Sequence, residues 1–106
     1  MNESTVYRLI ARDAWESAWA DPAGVVPWSA DDERDGYLHL STRSQVAETA
    51  RRHYAGVADL WVLAFDAAVL GEALKWEPSR GGDLFPHYYG DIALSRVTDV
   101  GPFDPD

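Results

Sequence analysis

Two kinds of residue are scarce in this chain, and each scarcity excludes a class of site. Cysteine is absent from the 106 residues, which excludes disulfide bonds and zinc sites built from thiolates. Lysine and arginine number nine against 18 aspartates and glutamates, so the formal net charge is -9 at pH 7. Because non-specific nucleic-acid binding depends on cationic side chains that release counterions from phosphate, we expect none here. A small anionic ligand would need a local concentration of the few basic residues.

Long hydrophobic runs are also missing. The longest uncharged run near the middle of the chain, residues 60–65, is far shorter than the roughly 20 residues that span a bilayer. The opening residues MNESTVYRL lack the basic and apolar regions of a secretory signal peptide. We therefore expect a cytoplasmic protein without membrane contact. A single domain over residues 1–106 is expected, since 46% hydrophobic and 25% charged residues are ordinary for a globular domain.

Turn-forming residues divide the chain into predicted strands and helices, and together these indicate an α+β fold. The acidic stretch at residues 21–35 (DPAGVVPWSADDERD) is expected to be a long surface loop with at most one short strand or turn. The predicted strands are residues 6–10, 36–41, 60–65, 73–77 and a segment within 93–100. Two main helices are predicted, one ending at Ala20 and the other near Tyr54.

The stretch DGYLHLST at residues 35–42 carries a polar row on its predicted strand. Successive strand side chains point to opposite faces, so Leu38 and Leu40 are expected in the core. The opposite face carries three side chains that can form hydrogen bonds, Tyr37, His39 and Ser41. The row leads directly into a predicted helix, where Thr42 would be the N-cap and Gln45 the third helical residue of a capping box.

The predicted start of this helix is typical of an anion site. Unpaired backbone N–H groups and the positive end of the helix dipole lie at such a corner, and phosphate ligands are commonly held there. Arg43 lies beside the corner, and Arg51 and Arg52 follow on the same helix. A solvated helix face explains Arg51 and Arg52 better than it explains Arg43, so Arg43 is the better ligand candidate.

A second group of candidates lies late in the chain. Glu77 ends the predicted strand ALKWE, with Lys75 on the same face. The following stretch, SRGGDLFPHYYG, is predicted to be a glycine-rich loop with an aromatic cluster around His87. Its aromatic residues could pack in the core or stack on a ligand. They are Phe85, Tyr88 and Tyr89.

Three histidines raise the question of a metal site, which their spacing does not support. His39, His53 and His87 form neither an H-x-x-x-H nor a C-x-x-C pattern. A hydrolase of the Ser/His/Asp type is not indicated either, since no G-x-S-x-G stretch accompanies the serines near the histidines. We expect no metal cofactor.

Four stretches in combination, VYRLI, DGYLHLST, LKWE and FPHYYG, resemble the bacterial domain-of-unknown-function family nine-five-two over nearly the whole chain. That family looks like a distant branch of the ADP-ribosyltransferase superfamily. The resemblance implies a small, split, mostly antiparallel β-sheet whose cleft binds NAD as a co-substrate. It further implies ADP-ribosyl or related phosphoribosyl transfer as the activity.

The resemblance also implies roles for individual residues. Arg8 matches the first-strand position that is His or Arg in such enzymes, Ser41 the second-strand hydroxyl, and Glu77 the late-strand acid. His39 resembles the histidine of the H-x-S element in the RNA 2′-phosphotransferase branch. The implied catalytic residues are His39, Ser41 and Glu77. The expected ligand-binding residues are Arg8, Tyr37, Thr42, Arg43, His87, Tyr88 and Tyr89.

The alternative is a non-catalytic module that binds a nucleotide-like ligand or a protein partner in the same cleft. Arg8 and Glu77 would then merely form an ion pair, and His39 would be a hydrogen-bonded core histidine. A catalytic site instead requires four side chains to converge on one solvent-reachable pocket. These are His39, Ser41, Glu77 and His87.

Overall fold

Two antiparallel sheets of three strands each form the frame of the molecule. The structure is a computed structural model that describes residues 4–104, apart from the side chain of Arg80. The strands are β1 (Thr5–Ala11), β2 (Leu38–His39), β3 (Leu60–Asp66), β4 (Leu74–Pro78), β5 (Leu84–Tyr88) and β6 (Val97–Pro102). The strand order is β1-β3-β6 in the first sheet and β2-β5-β4 in the second.

The helices lie in the connections between strands. They are α1 (Arg12–Ala20), α2 (Ala30–Asp35), α3 (Val46–His53) and α4 (Ala67–Leu70), with 3₁₀ turns at Gly71–Ala73, Arg80–Gly82 and Leu94–Arg96. The predicted α+β fold with antiparallel strands is confirmed, and α1 and α3 are the two longest helices in the described part of the chain. Between residues 4 and 104, no helix is long and apolar enough to cross a membrane.

The hydrophobic core joins the two sheets to α1. It contains the buried side chains Val6, Ile10, Trp15, Ala18, Val26, Leu38, Leu40, Leu63, Phe65, Leu70, Ile92 and Leu94. Leu38 and Leu40 face this core, as the strand alternation predicts. Full burial of one such leucine contributes about 1.5–3 kcal/mol, so the two residues fix which face of their segment turns outward.

The segment that carries the polar row passes from one sheet to the other. Strand β2 is only two residues long, whereas the sequence predicts a strand over residues 36–41. The cause is Pro86 of β5, whose carbonyl accepts from the N–H of Leu40 but which has no N–H to return the bond. Ser41 instead exchanges two backbone hydrogen bonds of 2.8 Å with Tyr7 of β1. The segment thus connects the two sheets.

Two predicted loops contain regular structure. Within residues 21–35, Ser29 begins α2 with a reciprocal capping box to Asp32, and Gly36 ends it at a φ of 88°. The stretch FPHYYG, predicted to be part of a loop that begins at Gly81 and Gly82, largely forms β5 in the middle of the second sheet. Pro86 is tolerated there because the lost hydrogen bond lies where the β2 ladder ends.

The predicted N-cap of the second main helix is wrong. Helix α3 begins at Val46 with Gln45 as its N-cap, so the helix starts later than predicted. One half of the capping box exists, since Oε1 of Gln45 accepts from the N–H of Thr42 at 3.0 Å. The hydroxyl of Thr42 pairs with Ser44 instead of a helix N–H group, because residues 43–45 form a turn before the helix.

Candidate functional site

A cleft of about 230 Å³ opens where residues 37–41, β5 and α3 meet. Its walls combine apolar, aromatic and polar side chains. They include Tyr37, His39, Ser41, Thr49, Phe85 and His87. Thr49 closes one side, because its hydroxyl accepts from that of Ser41 at 3.2 Å.

The strand registers bring these side chains onto one face of the second sheet. His39 of β2 is opposite His87 of β5, and Glu77 of β4 is opposite Phe85 of β5. Because side chains alternate along each strand, these positions share the outer face, while Leu38 and the strand neighbours of His87 turn to the other side. The sheet therefore presents two histidines and a carboxylate together.

Tyr37 lies at the centre of an aromatic cluster on this face. Its ring is stacked on that of His87, with centroids 4.0 Å apart and planes 21° from parallel. The rings of His39 and Tyr89 lie 4.7 Å and 5.2 Å from Tyr37. Burial first, and then the charges of Asp35 and Glu77, raise the pKa of Tyr37. Tyr37 is therefore a neutral hydrogen-bonding phenol at physiological pH.

His87, which is buried, pairs with the more exposed Glu77 next to this stack. Nδ1 of His87 lies 2.7 Å from Oε1 of Glu77, and the hydroxyl of Tyr89 donates to the same oxygen at 2.8 Å. These two hydrogen bonds, that of His87 first, lower the pKa of Glu77. The carboxylate therefore stays ionised, held by two donors behind the cleft wall that His87 forms.

His39 is held between two other carboxylates. Its Nδ1 lies 2.6 Å from Oδ1 of Asp32, and its Nε2 lies 2.9 Å from Oδ2 of Asp35. Asp32 is fully buried, whereas Asp35 is reached by solvent. The inner side of the imidazole is thus fixed, and its outer side faces the mouth of the cleft.

Arg8 supports His39 from below. Its guanidinium donates to both oxygens of Asp32, at 3.2 Å and 2.5 Å, and to the carbonyl of His39 at 3.0 Å. Burial alone raises the pKa of Asp32, but the hydrogen bonds of His39 and Arg8 outweigh it and hold that pKa well below its usual range. In the described part of the chain, Nε of Arg8 is the only buried side-chain polar atom without a hydrogen-bond partner.

The rim of the cleft is acidic. Arg34 lies there, but it is engaged with Asp31 at 3.2 Å and Asp35 at 2.8 Å. The Arg34 hydrogen bond is the main reason that the pKa of Asp35 falls to about 2. The ionised carboxylates around the opening favour a neutral or cationic group inside it.

The structure brings together most of the residues proposed from the sequence. Tyr37, His39, Ser41 and His87 line the cleft, and Glu77 and Tyr89 lie directly behind Tyr37 and His87. His39 and Glu77 are on the same side of the sheet, with the ring of His87 between them.

Other proposed residues lie elsewhere. Arg8 is buried below the cleft and pairs with Asp32, so the ion pair with Glu77 considered above does not form. Tyr88 packs against the core on the opposite face of β5. Thr42 and Arg43 do not line the cleft, because α3 presents its side at Thr49 rather than its N-terminus. The predicted anion corner is therefore separate from this site.

Sequence reasoning missed Asp32, Asp35 and Thr49. Asp32 is the most important of them, since it accepts five hydrogen bonds, from Arg8, His39 and Ser29. Ser29 and Asp32 have the S-x-x-D spacing of a capping box, which would have placed a helix start in the presumed loop. In the range 4–104, no group of His, Cys, Asp and Glu is arranged to hold a metal ion.

The fold and site define a class of small α+β proteins with an acidic, aromatic cleft between two antiparallel sheets. The chain belongs to the family described as protein of unknown function (DUF952), which matches residues 9–100. The resemblance stated from the sequence is thereby confirmed at the level of the family. No curated protein matches the chain.

Solved structures of a relative share this architecture. Crystal structures of protein CC0527 from Caulobacter crescentus and of its double methionine variant are 43% and 42% identical to this chain, with TM-scores of 0.87 and 0.86. Each match covers 94% of this chain and 86% of the relative. The solution structure of CC0527, at 42% identity, has a TM-score of 0.81 over 95% of this chain and 85% of the relative.

Proposed function

We propose that the cleft binds the nicotinamide-ribose end of NAD and supports transfer of the ADP-ribosyl group. The observation that carries this proposal is the ionised carboxylate of Glu77, held by His87 and Tyr89 beside an aromatic stack. Cleavage of the bond between nicotinamide and ribose develops positive charge on the sugar, which a fixed carboxylate stabilises. The expected ADP-ribosyltransferase-like relationship is part of the same proposal.

The size of the cleft supports binding of one end of the dinucleotide. Pockets for drug-sized ligands occupy roughly 300–1,000 Å³. The cleft measures about 230 Å³, which suits a ring and a sugar better than a whole dinucleotide. The pyrophosphate and the adenosine would extend from the mouth toward solvent.

The charge of the cleft supports the same orientation. The nicotinamide ring of NAD is cationic, and the rim carries ionised Asp35. A pyrophosphate inside the cleft would meet this negative charge, and among the described side chains of the lining the one arginine, Arg34, is already paired. The cationic end of NAD therefore enters, and the anionic part stays outside.

His39 and Ser41 would hold the ribose. Nε2 of His39 faces the more exposed of its two carboxylate partners, so a ribose hydroxyl can replace Asp35 there without disturbing the buried Asp32 contact. The hydroxyl of Ser41 lies on the same wall. Tyr37, which is half-buried and lines the cleft, would pack against the nicotinamide ring.

A second candidate function is a non-catalytic module that binds a nucleotide-like ligand or a protein partner. One observation favours it: both ring nitrogens of His39 and one oxygen of Glu77 already have internal partners. Side chains whose hydrogen-bonding atoms all have internal partners are typical of a structural network. Hydrogen bonds in catalytic sites, however, also rearrange when a substrate enters. Turnover decides between the two functions.

Release of nicotinamide from NAD tests the proposal. Glu77→Gln keeps an oxygen that accepts from His87 and Tyr89 but removes the charge. We expect it to lower turnover by about a hundredfold while the affinity for nicotinamide mononucleotide changes little. Glu72→Gln, an exposed carboxylate outside the cleft, is the matched control and should turn over normally.

Two results would count against catalysis. Wild-type protein that binds nicotinamide mononucleotide but releases no nicotinamide from NAD would establish the binding module. An active protein whose Glu77→Gln variant turns over normally would remove Glu77 from the chemistry.

A further inference from the structure

We propose that Nε2 of His87 is the general base that takes the proton from the attacking hydroxyl, whether of water or of an acceptor alcohol. This inference rests on the proposed function, which assigns the leaving-group step but no proton acceptor. His87 belongs to β5 and lines the cleft together with His39 and Ser41, the two residues proposed to hold the nicotinamide ribose.

The hydrogen bonds of His87 determine which nitrogen can accept a proton. Nδ1 lies 2.7 Å from the Glu77 carboxylate, which can only accept, so Nδ1 carries a hydrogen. In the neutral ring, Nε2 is then the acceptor. No residue of the described chain forms a hydrogen bond with this nitrogen, and it is not among the buried atoms that lack a partner. It is therefore open to a ligand in the cleft.

The ring is held in this orientation from two sides. Tyr37 stacks on its face at 4.0 Å, which opposes rotation of the imidazole. Tyr89 donates to the same Glu77 oxygen and so fixes the carboxylate that orients Nδ1. A histidine oriented by a carboxylate, with its second nitrogen facing the substrate, has the arrangement that general-base catalysis requires.

His39 cannot serve in the same way. Its ring centroid lies 5.8 Å from that of His87, so both histidines face the same space. Both of its nitrogens, however, lie within 2.9 Å of a carboxylate oxygen, of Asp32 and of Asp35. Nδ1 is engaged with the buried Asp32, and the proposed ribose contact would occupy Nε2, so neither nitrogen is left to meet the attacking hydroxyl. The two histidines therefore have different roles.

The proposed step needs no group beyond NAD, the attacking hydroxyl and His87. The bond between C1′ of the ribose and the nicotinamide nitrogen breaks, and its electron pair leaves with neutral nicotinamide. The oxygen of the attacking hydroxyl forms a new bond to C1′, and its proton moves to Nε2 of His87. The resulting imidazolium is paired with the Glu77 carboxylate through Nδ1. Release of that proton to solvent restores the neutral ring.

A change of nucleophile tests this role. His87→Asn retains a side-chain N–H near the position of Nδ1, which can still donate to Glu77, but removes Nε2. We expect hydrolysis of NAD to fall by about a hundredfold or more, while the KM for NAD changes little. Azide is an anion that needs no deprotonation, and attack through its nitrogen should restore nicotinamide release in the variant toward the wild-type rate.

The Glu77→Gln variant is the matched comparison. Its defect lies in stabilisation of the charged sugar, so azide should not restore it. Circular dichroism and thermal unfolding of each variant would confirm that it is folded.

Each outcome of this comparison is decisive. If the wild-type protein releases no nicotinamide from NAD, both the proposed function and the assignment of His87 as general base are refuted. A His87→Asn variant that hydrolyses NAD at the wild-type rate refutes the base alone. A folded His87→Asn variant that stays slow with azide as well as with water shows a positioning role and also overturns the assignment.

Discussion

A single buried carboxylate, Asp32, holds together the floor of the cleft. It pairs with both terminal nitrogens of the Arg8 guanidinium, accepts from the backbone and the ring of His39, and accepts from the backbone N–H of Ser29 at the start of α2. A fully buried ion pair stabilises little against an apolar replacement, but the removal of one partner leaves an uncompensated charge. Asp32 therefore couples the orientation of His39 to the stability of the fold.

Substitution of Asp32 by asparagine should be costly. The variant leaves the Arg8 guanidinium buried without a counter-charge, so we expect the free energy of unfolding to fall by about 3–5 kcal/mol. Urea denaturation measures the change. The adjacent Asp31→Asn variant alters only an exposed pair with Arg34 and should unfold near the wild-type midpoint. Equal effects of the two substitutions would contradict the proposed coupling.

Much of the site was predictable residue by residue, and one part was not. Strand alternation placed Tyr37, His39 and Ser41 on one face, because Leu38 and Leu40 are apolar enough to fix the other. The roles of Asp32 and Asp35 were hidden, since aspartates in an acidic stretch are normally solvated and a long-range partner such as Arg8 leaves no local signal.

At the scale of elements, strands β1, β3 and β4 and the two main helices were predicted, whereas α2 and β5 were not. Strands β1 and β3 and helices α1 and α3 have apolar patterns in the sequence that indicate the secondary structure they adopt. Helix α2 has only six residues, most of them charged, and β5 contains Pro86, so neither carries a clear period. Their formation depends on Asp32 and on the neighbouring strands, which local patterns do not reveal.

The end of α2 gives a prediction about the backbone. Gly36 has a φ of 88°, and an added Cβ would meet no atom within 4 Å. Gly36→Ala should therefore cost about 1–2 kcal/mol from the left-handed backbone alone. Gly56→Ala is the matched control, since Gly56 has equal space but no positive φ, and it should be neutral or slightly stabilising. A Gly56 variant as destabilised as the Gly36 variant in thermal unfolding would refute this explanation.

At the scale of the whole molecule, two effects of acidification oppose each other. The net charge of -9 means that mild acid reduces general repulsion. The lowered pKa of Asp32 acts in the other direction, because its contribution to stability is complete above the unfolded value of about 3.9 and is lost as the pH falls toward the folded value. Salt screens the surface repulsion but not the buried pair.

In about 0.5 M salt, the buried pair should therefore dominate. We predict a free energy of unfolding that is nearly constant from pH 7 to 5 and falls below about pH 4, because the unfolded chain then binds the additional proton. Urea titrations at a series of pH values give this curve. A protein that becomes more stable between pH 4 and 3 under these conditions would show that Asp32 is not held ionised.

Nuclear magnetic resonance of the labelled protein, titrated with nicotinamide mononucleotide, tests the central claim most directly. We predict backbone amide shifts concentrated at residues 37–41 and 85–89, which flank the cleft. ADP-ribose, which lacks the nicotinamide ring, should shift the same amides less. Shifts confined to other parts of the chain, or no shifts with either ligand at millimolar concentration, would contradict binding of the nicotinamide-ribose end of NAD in this cleft.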